Sequence, residues 1–422
     1  MCARNPYAQQ EGRFTVLNSG NSLANASSYL NGTAPYWKKN LIVCAAGSFT
    51  TTVAMTMLLP FLPLYIRELG VIDQASIAQF SGVAYGVTFL AAALVAPLWG
   101  RLADRYGRKA MMVRASLGVV AAMALMGVAQ DVWQFLAIRF LSGVLGGYSS
   151  GSYALVATQV PKDRSGGALG LLATGIMGGY LVGPLIGGFL PALIGIRETF
   201  FLTAALVFLT FLASAFLIRE DFNARTTERE YSNSWSTIPS RRPVLAMLAT
   251  GLLLMIANMS IEPITAIYIS QLVEPNRHIT LWAGLVISGT AFGSVLSASH
   301  LGRLADRVGH WKVIVVAMCT AAALLLSQAF VTNVLELVGL RILMGLALGG
   351  LLPCIGSVIR HSVPEQAVGA ILGWSTSAQH AGQVLGPAIG GVLAAHAGIH
   401  SVFFFTSFLM LVGGFIAWSS RP

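Results

Sequence analysis

Apolar runs of about 20 residues follow one another along nearly the whole chain, parted by short polar turns. A helix rising 1.5 Å per residue needs that length to cross the hydrocarbon of a bilayer. The pattern predicts six spans near 40–66, 77–99, 110–130, 134–158, 166–190 and 199–218. It predicts six more near 244–270, 280–301, 312–331, 334–358, 367–395 and 401–418. One polar stretch, 219–243, is longer than a turn and carries Arg219, Glu220, Asp221, Arg225, Glu228 and Arg229. It reads as a cytoplasmic linker between two six-helix halves, residues 37–218 and 244–422. Residues 1–36 are rich in Ser and Asn and lack the apolar core of a signal peptide or span. They read as a disordered cytoplasmic tail. The expected class is an all-α polytopic membrane protein.

Composition agrees with the pattern. Hydrophobic residues make up 55% and charged residues 10%, where a soluble chain carries roughly 25% charge. The net charge of +10 does not signal nucleic acid, because the charges are sorted by loop. Most of the 26 Lys and Arg fall on one side, with Arg67, Arg197 and Arg277 on the other and Arg139 and Arg341 within spans. Glu68, Asp73, Asp131, Glu198 and Glu274 collect on the Lys/Arg-poor side. The positive-inside rule then places both termini in the cytoplasm, with the basic side facing anionic lipid. The four cysteines, Cys2, Cys44, Cys319 and Cys354, have neither disulfide nor metal-ligand spacing. No Gly-x-x-x-x-Gly-Lys-[Ser/Thr] phosphate loop and no hydrolase or kinase signature is found. We therefore expect no enzyme, no metal and no bound cofactor, with an ion gradient as the energy source.

The two halves repeat. Gly100-Arg-Leu-Ala-Asp104-Arg105-Tyr-Gly107-Arg108-Lys109 returns as Gly302-Arg-Leu-Ala-Asp306-Arg307-Val-Gly309-His-Trp-Lys312. Gly100 pairs with Gly302 and Arg139 with Arg341 at an offset of 202. Pro60 pairs with Pro263, Tyr65 with Tyr268 and Pro184 with Pro387 at 203. So constant an offset over many spans is the mark of an internal duplication.

The motif at 100–109, after the second span, resembles the loop signature of the major facilitator superfamily. Arg139-Phe-Leu-Ser142-Gly143 is similar to its second motif, with Ser where that motif often has Gln. Gly179-x-x-x-Gly183-Pro184-x-x-Gly187-Gly188 resembles the motif of its drug:proton antiporters with 12 spans. Pro60-Phe-Leu-Pro63-Leu-Tyr65 and Ile261-Glu262-Pro263 resemble the MdtG-like branch of bacterial multidrug efflux transporters. The resemblance covers residues 37–418. It implies two pseudo-symmetric six-helix bundles around one midplane cavity, working by alternating access. It further implies a monomer in the cell inner membrane that exports small amphipathic compounds in exchange for protons. Three other readings stay open: an exporter of one metabolite or sugar, an uptake symporter, and a membrane sensor that transports nothing.

Within that architecture, Asp104 is expected against the positive start of span 11 near Ala367, and Asp306 against the start of span 5 near Gly166. Arg105, Arg108, Arg307 and Lys312 would orient each Asp, and the glycines permit the sharp turn. Such a latch would close the cytoplasmic side in one conformation; the plainer reading is that these charges only set topology. The small-residue stripe of span 5 is expected to rock against span 8, and its counterpart Gly382, Gly386, Pro387, Gly390 and Gly391 against span 2. Elsewhere it would be ordinary tight packing.

Glu262 is the deepest carboxylate, about five residues outward of the middle of span 7. A charge there costs several kcal/mol, so a carboxyl that is neutral in one state and ionised when water reaches it can carry a proton. Alternatives are a static pair with Arg139 or Arg341, or contact with a cationic substrate. Arg139 remains charged when buried and needs a partner; Glu262 is the candidate, and Glu336 is one for Arg341. His380, beside Gln383, reads either as a titrating or substrate-contacting group or as a satisfied buried histidine. Tyr65, Tyr268, Tyr85, Phe89 and Trp374 are candidates for an aromatic cavity wall.

Overall fold

The structure, a computed structural model, describes residues 36–161, 164–220, 241–273 and 278–421. The expected N-terminal tail, save Tyr36, and nearly all of the expected linker lie outside them. Every regular element among the described residues is helical. In the first half these are α1 (Trp37–Thr56), α2 (Leu62–Glu68), α3 (Gln74–Tyr106), α4 (Arg108–Val128), α5 (Val132–Leu145), α6 (Tyr148–Gln159), α7 (Ser165–Ile194) and α8 (Ile196–Leu217). The second half comprises α9 (Arg241–Ile261), a 3₁₀ turn (Glu262–Ile264), α10 (Thr265–Leu272), α11 (Ile279–Val308), α12 (His310–Gln328), α13 (Val334–Leu348), α14 (Leu351–Ser362), α15 (Glu365–Ala397) and α16 (Ile399–Ser419). Joined across their breaks, α1–α2, α5–α6, α9–α10 and α13–α14 each make one path, and the order reads as twelve helical paths. Among the described residues, nine helical stretches are long and apolar enough to cross a membrane, two of them (Arg241–Leu272 and Val334–Ser362) running across a break. The first and fourth paths are broken into short pieces. The eleventh, α15, is long enough but carries Ser375, Ser377, Gln379, His380 and Gln383.

The breaks obey the repeat. Residues Met57–Phe61, around Pro60, interrupt the first path where Glu262–Ile264, around Pro263, interrupt the seventh. Proline withdraws an N–H from the helix ladder and crowds the preceding turn, which accounts for both. Gly146-Gly147 divides α5 from α6 as Gly349-Gly350 divides α13 from α14. At the Gly146 break, Trp99 Nε1 donates to the Val144 carbonyl (2.7 Å) and Arg114 Nη2 to the Gly146 carbonyl (2.8 Å). The Arg114 guanidinium lies 3.5 Å from the Trp99 ring centre. Helix α3 runs on through most of the loop motif, so the turn itself is Gly107 alone, at φ +89°; Gly309 repeats it at +99°. That left-handed region admits glycine at no steric cost.

The main apolar core draws on both halves, and an aromatic anchor recurs in each. Tyr65, fully buried, packs against Phe135 and Phe200 and donates its hydroxyl to the Met126 carbonyl. Tyr268 packs against Phe403 and donates to the Gln328 carbonyl at 2.8 Å. The two tyrosines are therefore core anchors between helices of one half, and the expectation that they wall a cavity is corrected. An aromatic ring with a polar tip fits such a core when the tip finds a carbonyl.

The glycine stripe also divides its work differently from expectation. A Cβ on Gly179 would meet the Phe49 carbonyl at 2.9 Å, and one on Gly183 the Val53 carbonyl at 3.1 Å. One on Gly187 would strike the Met57 carbonyl. These three press α7 onto α1 of the same half. Only Pro184 and Gly188 face α11 of the other half, where a Cβ on Gly188 would sit 2.7 Å from the Thr280 carbonyl. In α15, Gly382, Gly386 and Gly390 press on α9 in the same way, while Pro387 and Gly391 meet Gly82, Ala78 and Gln79 of α3. Stripe and seam are rotated apart by the helical 100° per residue.

The seams α7–α11 and α3–α15 shut the end of the molecule that holds Gln74 and Thr280, the far end. At the motif end the halves part. A Cβ on Gly166, Gly170, Gly369 or Gly373 would meet nothing within 4 Å, and α3 is largely exposed beyond Ala93.

Candidate functional site: a carboxylate at the closed seam

Glu262 begins the 3₁₀ turn that interrupts the seventh path. The Tyr85 hydroxyl, on α3 of the other half, donates to Glu262 Oε2 at 3.0 Å. Leu59, Tyr85, Met259 and Ile287 form a small apolar cluster here, with Phe89 packed against it. It draws on both halves, so Glu262 sits half-buried where they join. The equivalent position in the first half, 203 residues earlier, is Leu59, which is buried. The pseudo-symmetric pair thus holds one carboxylate, not two.

Two arginines flank the site from α5 and α13. Arg139 is 1% exposed and donates Nε to the Ala84 carbonyl at 3.0 Å, while Thr88 donates to the Arg139 carbonyl at 3.1 Å. Its guanidinium lies 5.9 Å from the Tyr85 ring centre, and Nη1 is buried without a partner among the described residues. Tyr85 thus separates Arg139 from Glu262, and no ion pair links them: the expected Glu262–Arg139 pair is corrected. Arg341 is 2% exposed, with Nε buried and unpartnered among the described residues. Its charge acts on Glu262 without forming a close ion pair. Tyr180 of α7 is also within electrostatic reach of Glu262. Glu336 does not serve Arg341; it is exposed and accepts the Thr332 N–H at 3.3 Å.

The other expected residues sit as follows. His380 is exposed on the splayed part of α15, with Nδ1 2.9 Å from Gln383 Oε1, so it is not a buried histidine. Gln383 lies 203 positions after Tyr180. Asp104 is exposed, and the Gly369 face near the start of α15 has nothing within 4 Å of a Cβ built on it. Asp306 pairs with His310 of its own turn at 3.4 Å and stays 72% exposed. Arg108 reaches Thr158 at 3.3 Å; Arg105 lies over Tyr106. The loop motifs are thus apart from α7 and α15 in this conformation.

Two contacts escaped the sequence. The Tyr85–Glu262 bond joins residues 177 apart, for which no spacing rule exists. Glu220, read as linker, accepts the Arg108 and Lys109 N–H groups at 3.1 and 2.7 Å and caps α4. Its signal was present: a carboxylate suits a helix start lacking its own capping side chain.

Two duplicated helical halves, helices broken at equivalent positions and a carboxylate with buried arginines at their junction define a multi-pass membrane transporter. The sequence model of the major facilitator superfamily matches residues 44–274 and 278–422. The chain belongs to that superfamily. Multidrug resistance protein MdtG of Klebsiella pneumoniae (strain 342) is 40% identical over 377 residues, 89% of this chain and 92% of that protein. The protein of the same name from Escherichia coli O17:K52:H18 (strain UMN026 / ExPEC) is 38% identical over 393 residues, 92% and 96% of the two chains. Among solved structures, a bacterial homolog to the human lysosomal transporter Spinster, inward-facing and occupied, superposes with a TM-score of 0.76 at 13% identity, covering 92% and 97%. The nucleoside transporter NupG (D323A mutant) gives 0.74 at 12% identity, covering 91% and 100%. At such identity these two speak to the fold alone.

Proposed function

We propose that this protein exports small amphipathic compounds from the cytoplasm in exchange for protons, by alternating access. The observation that carries the proposal is Glu262, a single carboxylate on a broken helix where the two halves meet. The multidrug names of the MdtG relatives support the substrate class. The basic loops put the motif end and both termini in the cytoplasm, so the conformation described is inward-open, with its far end shut. Glu262 takes a proton from outside when the far end opens and releases it inward when the motif end opens. Arg341, rather than Arg139, supplies the positive charge that favours release. Asp104 and Asp306 reach the starts of α15 and α7 when the motif end closes. His380 and Gln383 line the open side and contact substrate. Lipid surrounds a monomer in the inner membrane, and the proton gradient serves where another protein would use a bound cofactor.

The test uses inverted vesicles with a pH reporter inside and an inside-acid gradient. Lipophilic cations and neutral drugs are added, comparing wild type with Glu262→Gln at matched expression. Substrate-induced alkalinisation in wild type and its loss in the variant is the expected result. Equal proton movement in both removes Glu262 as the carrier.

A further inference from the structure

The Tyr85–Glu262 hydrogen bond crosses between the halves, and it lies at the seam that must part if the far end is to open. Gly82 and Gly86, on the same stretch of α3, approach the backbone of Pro387 and Val384 of α15, so the two helices are in backbone contact here. The Tyr85 ring is 5% exposed and held edge-on to Phe89. It cannot follow Glu262 through a rigid-body parting. Opening the far end therefore breaks the bond.

We propose that this bond is the device that stops the empty carrier from changing sides; the inference rests on the proton-exchange reading of Glu262. A hydroxyl donating to a carboxylate makes a bond about twice as strong as one donating to a neutral acid. The far end is therefore held shut most firmly when Glu262 is ionised and no substrate has displaced Tyr85. That is the one form an exchanger must not let across, since an empty carrier returning outward turns exchange into a proton leak. A proton on the carboxyl, or substrate between the two side chains, loosens the hold, and those are the two forms that must cross. The other seam lacks such a switch: Ser288, 203 positions after Tyr85, donates to the Leu181 carbonyl at 2.7 Å, a bond whose strength no proton alters.

The groups facing Glu262 are Tyr85 on α3, Tyr180 on α7 and Arg341 on α13, with Arg139 of α5 behind Tyr85. Helix α15 brings Gly386–Gly391 to this point and carries His380 and His396 on either side of it. Helix α2, which also touches the break, holds Arg67 and Glu68 near its outer end, and α10 holds Tyr268 in its core.

The full chain is reconstituted into proteoliposomes with an internal pH reporter, and a pH gradient is imposed without substrate. Tyr85→Phe, which keeps the ring, is expected to pass protons at least about tenfold faster than wild type, the order of a lost hydrogen bond to a charged group. Adding Glu262→Gln to that variant is expected to abolish the leak. A Tyr85→Phe protein as tight as wild type overturns the proposal. If at the same time Glu262→Gln abolishes substrate-driven proton movement, the exchange reading survives; if it does not, both fall. Should Tyr85→Phe insert poorly, the test passes to the otherwise unaltered site. Spin labels replace Gln74 and His396, exposed at the far ends of α3 and α15, in a chain with its native cysteines substituted. The label spacing is expected to be short and narrow at alkaline pH and to lengthen on acidification, and Glu262→Gln removes the change. A spacing indifferent to pH overturns the proposal.

Discussion

Replacing Gly188 by alanine adds one methyl group at the α7–α11 seam. That Cβ would lie 2.7 Å from the Thr280 carbonyl oxygen, 3.1 Å from Leu281 Cα and 3.3 Å from Gly284 Cα. All three are backbone atoms, so no side chain can rotate away and the helices themselves must separate. Overpacking of this kind costs about 1–3 kcal/mol. The cost falls only on the conformation whose far end is shut. Alanine's better helix propensity, up to about 1 kcal/mol over glycine, acts in both conformations and cancels in their ratio. At about 1.4 kcal/mol per tenfold, the shut-to-open ratio should fall by about 5- to 150-fold. Gly170→Ala is the control, since its Cβ meets nothing within 4 Å. The Gln74–His396 label pair in lipid nanodiscs reads the outcome: Gly188→Ala should populate a longer distance that the control lacks. An unchanged distribution in Gly188→Ala would refute the argument that this seam sets the conformational balance.

Other predictions address single contacts. Gly187→Ala places its Cβ on the Met57 carbonyl within one half, so it should lower the thermal midpoint in every conformation, by about 1–3 kcal/mol of stability, without biasing the label distances. Arg114→Met removes the donor to the Gly146 carbonyl and the guanidinium stacked on Trp99; amide exchange over residues 144–148 should accelerate about tenfold or more, and unchanged protection would show the break to be held by packing alone. Asp73 accepts the Ser76 N–H and hydroxyl at 2.8 Å, which holds its carboxyl below the usual range. A depressed folded pKa means that the cap stabilises above the ordinary aspartate value, about 3.9, and is lost as pH falls through the folded one. Exchange at 76–78 should rise on strong acidification in wild type and be raised already at neutral pH in Asp73→Ala.

The architecture was legible because its signals are local. Apolar runs announce spans, and the repeated punctuation of Gly100 and Gly302, Pro60 and Pro263, announces two halves. Glu262 stands out in the sequence because a carboxylate among apolar residues needs a reason, and its place beside Tyr85 of the other half is a fact of the fold. Which neighbour a residue faces was not legible. Tyr65 and Tyr268 look the same in sequence whether they line water or sit in a core, and the carbonyls of Met126 and Gln328 that receive them are 60 or so positions away. A stripe of glycines four apart tells of close approach but not of the partner; α1 takes the one face and α11 the other. Arg139 called for a partner, and the sequence offered Glu262 by elimination. The structure instead gives it the Ala84 carbonyl and the face of Tyr85, contacts that any backbone and any aromatic could have supplied.

Beside Glu220, which ties the end of the first half to the start of α4, each half has a clasp that fastens its own last helix to its own first. Asn40 at the start of α1 exchanges hydrogen bonds with the backbone of Arg219 at 2.6 and 3.1 Å, and Gln159 donates to the same carbonyl. In the second half, Arg242 near the start of α9 donates to the Ser419 carbonyl at 2.6 Å. Among the described residues these ties end at Glu220 and resume at Arg242. A gene cut between codons 220 and 241 should therefore yield two polypeptides, each of which closes on itself and meets the other through the glycine seams. Evolution faced the same freedom: once a six-helix ancestor carried its own clasp, two copies could be fused through almost any spacer. Sequence drift in that spacer would leave these ties untouched.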